Sequence, residues 1–145
     1  MNMVVKIMAL SLLPASVLVS CMVENHEDGL YHTGDEQVAN YQVLGTVRGK
    51  DGHPLTGIRV VAGHSTGVLY RADTLYTDKD GKFSKFMSVP RVDKFYMSFS
   101  DIDGQANGGE FETKSEYVSP VRTEISSGHF GGSYIVSIDV TLKKK

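Results

Sequence analysis

The chain has 145 residues, 15 Lys and Arg against 17 Asp and Glu, one cysteine and no tryptophan. A formal charge of −2, with no basic patch interleaved with aromatics, excludes a nucleic-acid partner. A single thiol excludes an internal disulfide and a cysteine-rich metal site, and the length suits one domain with a modest core.

Residues 1–20 read as an export signal. Lys6 is their only charged side chain, and an apolar run from Ile7 to Val19 follows it. That run is about a dozen residues, short of the ~20 a membrane-spanning helix needs. A basic start, a short apolar centre and a small residue before the cut describe a secretory signal. Leu18-Val19-Ser20-Cys21 resembles the lipobox of bacterial lipoproteins: aliphatic, tolerant, small, then an obligatory cysteine. The resemblance implies cleavage before Cys21 and lipidation of its thiol, which anchors the chain because two or more acyl chains hold stably where one does not. It places the protein at the bacterial outer membrane or cell surface.

Residues 21–40 are polar, with Glu24, Glu27, Asp28, Asp35 and Glu36 and few aliphatics. Such a segment cannot bury enough apolar surface to order itself, so it reads as a flexible acidic stalk. Its acidic residues also resemble the surface-export signal of some Gram-negative lipoproteins.

Residues 41–145 read as one β-sandwich domain. Turn dipeptides punctuate it: Asp51-Gly52, Asp80-Gly81, Asp103-Gly104, Gly108-Gly109 and Gly131-Gly132. Between them apolar residues alternate: Tyr41, Val43 and Val47; Ile58, Val60 and Ala62; Phe95, Met97 and Phe99; and Tyr134, Val136, Ile138, Val140 and Leu142. Shorter strands are expected over 74–77, 82–87 and 111–118. Period-two patterning with regular turns argues an all-β sandwich of about seven strands.

The stretch "VLGTVRGKDGHPLTGIRVVA" followed by "TLYTDKDGKF" resembles the opening of carboxypeptidase-regulatory-like and transthyretin-like domains. Asp51-Gly52 supplies a hairpin turn, Pro54 holds the chain extended, and Asp78 bonds around the Asp80-Gly81 turn. Phe83 is expected to fill the core. The lipobox, the stalk, "GIRVV", "DTLYTDKDGKFS", "DIDGQANGGEF" and the ending "VTLKKK" together resemble the radical SAM-associated lipoproteins. That family is named for its gene neighbourhood, and the resemblance implies a small exported lipoprotein whose molecular role the name does not define; an unidentified envelope protein is the expected partner.

The scaffold also carries enzymes. Intradiol dioxygenases share the G-x-V-x-x-x-D-G-x-P opening and bind ferric iron through two tyrosines and two histidines, with an H-x-H pair. The histidines His26, His32, His53, His64 and His129 contain no H-x-H. Hydroxyisourate hydrolases end in Y-R-G-S, whereas this chain ends in lysines. No G-x-S-x-G elbow appears. His53 in a turn and His64 at a strand end are expected to be solvated. No catalytic residues and no cofactor are expected, and the main reading is a non-enzymatic, membrane-anchored structural or binding module.

One alternative concerns "DIDGQANGGE", 101–110, where Asp101, Asp103, Asn107 and Glu110 offer four oxygen-bearing side chains. Calcium takes 6–8 hard oxygens, so the loop is the candidate for a calcium-dependent ligand site. Its spacing departs from the EF-hand pattern, and a plain polar loop is the favoured reading. The last alternative is an enzyme on the transthyretin-like scaffold.

Overall fold

The computed structural model describes residues 37–145, apart from 67, 68, 126, 127 and 129. The signal, Cys21 and nearly all of the stalk lie outside the described residues. Among the described residues eight strands follow one another: β1 (Val38–Gly49), β2 (Arg59–Ser65), β3 (Tyr70–Tyr76), β4 (Lys82–Pro90), β5 (Phe95–Ser100), β6 (Lys114–Val118), β7 (Val121–Glu124) and β8 (Phe130–Leu142). They form two four-stranded sheets, β4-β1-β8-β7 and β3-β2-β5-β6. The domain is all-β.

The expected count of seven strands becomes eight. The added element, β7, has four exposed residues, so it carries no alternation to read. It exists because the chain leaves β6 at Ser119-Pro120 and joins the other sheet beside β8. Proline lacks the N–H that would continue the ladder of β6, so the crossing falls where it costs least. Likewise β1 begins at Val38, inside the segment assigned to the stalk, because Ala39 is fully buried.

The first and last strands run parallel at the centre of their sheet, pairing Tyr41 with Tyr134, Val43 with Val136 and Val47 with Val140. Their inward residues face Val60 and Ala62 of β2 and Phe95, Met97 and Phe99 of β5, and all of these side chains are buried. Phe83 on β4 is buried as expected and meets Phe99 at 5.9 Å between ring centroids. The Asp78 turn also forms as expected: its carboxylate accepts from Asp80 N–H at 2.9 Å and Lys82 N–H at 2.8 Å. Gly81 there has φ +69°, and a Cβ would stand 2.5 Å from the Val47 carbonyl oxygen. Glycine is therefore required on both grounds.

The β4–β5 turn borders the site described below, and Tyr41 pins it. The Tyr41 hydroxyl, in the buried core, accepts from Val92 N–H at 2.9 Å. Its ring packs edge-on against Phe95 at 5.0 Å and stacks with Tyr134 at 5.2 Å. Burial pushes the Tyr41 pKa up, with the Val92 hydrogen bond opposing, so the phenol stays protonated.

Candidate functional site

Alternation along β2 divides its residues between two faces. Val60, Ala62 and His64 are buried with the core, while Arg59, Val61, Gly63 and Ser65 take the opposite face. The register carries that outer face across the sheet: Tyr117 pairs with Tyr96, Tyr96 with Gly63, Gly63 with Ala72, and Ser65 with Tyr70. Three tyrosines thus gather around a residue without a side chain. Tyr70 is 60% exposed and Tyr117 72%, far more than core aromatics tolerate. The Tyr96 and Tyr117 rings lie 5.4 Å apart at 59°. The Tyr70 hydroxyl occupies the space above Gly63, 2.0 Å from where a Cβ would stand. Glycine at 63 is what lets that ring fold down.

The result is an open cleft of about 660 Å³, lined also by Asp93 and Lys94 of the β4–β5 turn. Small-molecule sites fall at roughly 300–1,000 Å³, and most are apolar with a few polar groups that fix orientation. Aromatic walls, phenol hydroxyls, one ammonium and one carboxylate match that description.

His64 lines this cleft and also a second, smaller notch of about 440 Å³ bordered by Arg71, Ala72, Asp73 and Val89. Inner-face register sets Arg71 opposite His64, and Asp73 opposite Ala62. Only 4% of His64 is exposed, which corrects the expectation of a solvated histidine. Its ring packs against Phe95 at 5.7 Å between centroids, and its Nδ1 has no hydrogen-bond partner. Burial pushes the imidazole pKa down, Arg71 adds to that, and Asp73 opposes. His64 is therefore neutral at pH 7. His53, by contrast, stays in a solvated turn beside Asp51 at 3.2 Å.

The polar side chains of 101–110 are engaged by the loop itself and by the residues flanking it. Asp101 accepts from Asp103 N–H at 3.2 Å and from Phe111 N–H at 3.0 Å. The Asn107 amide donates to the Asp103 carboxylate. Glu110 pairs with Lys145 at 2.5 Å. Among the described residues no group of three or more His, Cys, Asp or Glu is placed to hold a metal ion. The calcium alternative has no cage to rest on. The exposed terminal lysines also reach this loop: Lys143 donates to Glu112 at 3.1 Å, and Lys144 donates to the Gly108 carbonyl at 3.1 Å.

No protein-family model and no curated protein sequence matches the chain. Solved structures do. The 3-chlorocatechol 1,2-dioxygenase of Rhodococcus opacus 1CP superposes with a TM-score of 0.55 at 14% identity, over 77% of this chain and 62% of that one. The catechol 1,2-dioxygenase of Acinetobacter radioresistens gives 0.55 at 12% identity, over 75% and 53%. The dioxygenase domain of a dioxygenase–carbohydrate-binding fusion from Streptomyces sp. SirexAA-E gives 0.52 at 17% identity, over 78% and 84%. The likeness is one of fold. The chain spans 62% and 53% of the first two enzymes.

These neighbours correct two expectations. A non-enzymatic accessory module no longer follows from the sandwich, because the same backbone carries dioxygenases. Nor does cofactor independence follow from the missing H-x-H, since dioxygenases share this frame. Yet the described residues do not bring together an iron site of two tyrosines and two histidines. His64 is the one histidine bordering the tyrosine cleft among the described residues, and alternation sends its imidazole to the opposite face of β2. The tyrosine cleft had a legible trace in the sequence, for Tyr96 falls out of phase with Phe95, Met97 and Phe99. Tyr70 and Tyr117 lie on edge strands whose register only pairing reveals.

Proposed function

We propose that this domain is an enzyme of the dioxygenase-like sandwich class, transthyretin-like in its strand arrangement, acting on a small planar phenolic compound. The observation that carries the reading is the slot formed by Tyr70, Tyr96 and Tyr117 over Gly63. Aromatic rings attract other rings in offset or edge-on contact, worth about 0.5–1.5 kcal/mol per pair beyond area burial. The phenol hydroxyls and Lys94 are the groups to hydrogen-bond a ring hydroxyl, and Asp93 accepts from one. Catechol, the compound named for the neighbouring enzymes, has the size and chemistry for the slot.

The export reading completes the proposal: Leu18-Val19-Ser20-Cys21 supports a lipid anchor at Cys21 on the outer membrane or cell surface. Resemblance to the radical SAM-associated lipoproteins supports an envelope protein as partner.

Tyrosine fluorescence tests the cleft, since the protein has no tryptophan to mask it. Catechol is expected to change the emission saturably, and Tyr96→Ala to weaken binding by about fivefold or more, from the loss of one or two ring contacts. Unchanged affinity in Tyr96→Ala and Tyr117→Ala contradicts the assignment. For the anchor, Cys21→Ala is expected to abolish labelling by palmitate analogues; a variant that still labels refutes it.

A further inference from the structure

The notch bordered by His64, Arg71, Ala72, Asp73 and Val89 contains two groups to which the ring-binding reading gives no role. Buried His64 has an Nδ1 without a hydrogen-bond partner, and an unmade bond at a buried polar atom costs about 1–3 kcal/mol. Opposite it in the ladder stands Arg71, an exposed side chain on edge strand β3. None of the ion pairs among the described residues involves Arg71. Its guanidinium carries a fixed charge and a fork of N–H donors, while the nearest acidic side chain on the same face, Asp73, is already engaged. The Asp73 carboxylate pairs with Lys85 of β4 at 2.8 Å, across the opening between the two sheets. That pair is internally neutral, so the net charge facing the notch comes from Arg71.

We propose that this notch is an oxyanion site, in which Arg71 and the Nδ1–H tautomer of His64 hold a small carboxylate or phosphate group. Each side supplies what the other lacks. An oxyanion gives the guanidinium a counter-charge with matching planar or tetrahedral acceptors, and it gives the imidazole N–H the acceptor it is missing. A metal ion is a poorer occupant, because His64 and a lysine-bound Asp73 are the only ligating side chains there. Val89 of β4 forms an apolar wall, which strengthens the charged contacts by excluding water.

The site is independent of the ring-binding reading and is tested separately. Full-length protein with labelled histidines is titrated with sodium acetate and, in a second arm, inorganic phosphate, at constant ionic strength set by chloride. The His64 imidazole resonances are expected to shift saturably with at least one anion. Saturation by acetate alone defines a carboxylate site, and by phosphate alone a tetrahedral one. Arg71→Ala is expected to weaken binding about tenfold or more, the usual loss for a charge-assisted contact, and Arg71→Lys by less. Because Arg71 is exposed and unpaired, its replacement leaves the fold intact. Tyr96→Ala is expected to leave anion affinity unchanged. His64 resonances that ignore both anions, or that respond equally in Arg71→Ala, overturn the proposal.

Discussion

His64 is held between opposing demands. Strand alternation and the Phe95 contact draw it into the core, while its imidazole has a polar nitrogen to satisfy. Its pKa is lowered in the folded state, chiefly by burial, so the folded protein binds fewer protons here than the unfolded chain. The contribution is fully present above the unfolded value of about 6.5 and is lost as pH falls through that value towards the lower folded one. The slope for one such group is at most about 1.4 kcal/mol per pH unit. Urea unfolding between pH 7.5 and 5.5 is expected to show stability falling in the native protein and falling less steeply in His64→Leu. Equal slopes would mean that the imidazole is solvated. Phe83 gives the matching packing test. Phe83→Ala is expected to cost ~3–5 kcal/mol in the same assay, and a loss below about 1 kcal/mol would place the ring outside the core.

At the scale of elements, legibility followed burial. β8 and β5 declare themselves because one face of each is committed to the core and the other is polar. The Asp78 turn is equally plain, since its hydrogen bonds are local and need nothing from the rest of the chain. β7 was invisible because four exposed residues carry no period, and its partner, β8, is reached only after the chain crosses between sheets. The 101–110 loop illustrates the same limit. Its composition suggests carboxylates converging on a cation, whereas Asp101 caps backbone N–H groups and Glu110 meets Lys145, 35 residues away. With these acceptors engaged, calcium has little to gain. Melting temperatures in millimolar calcium and in chelator are expected to differ by less than about one degree, where a site saturated at a hundred times Kd would add ~2.7 kcal/mol and several degrees. A rise of that size, abolished by Asp103→Asn, would restore the cation site.

At the scale of the whole domain, the proposed ring-binding cleft lies outside the core that defines the fold. Tyr41, Phe95, Phe99 and Val136 establish a sandwich shared with catechol dioxygenases at 12–14% identity, and these residues are readable from period and turns. The cleft depends on cross-strand neighbours that lie far apart in sequence: Gly63 beside Tyr96, and Tyr96 beside Tyr117. No local pattern announces such a grouping, because each pair is set by strand register alone. The central claim is that the tyrosine slot receives a planar ring. The most direct measurement is amide chemical-shift mapping of the protein with catechol and, in parallel, with cyclohexane-1,2-diol, which has the hydroxyls without the ring. Catechol is expected to perturb Gly63, Tyr70, Tyr96 and Tyr117 together, and the diol to leave them unmoved. Equal responses to both compounds, or perturbations confined to other faces of the sandwich, would contradict the account.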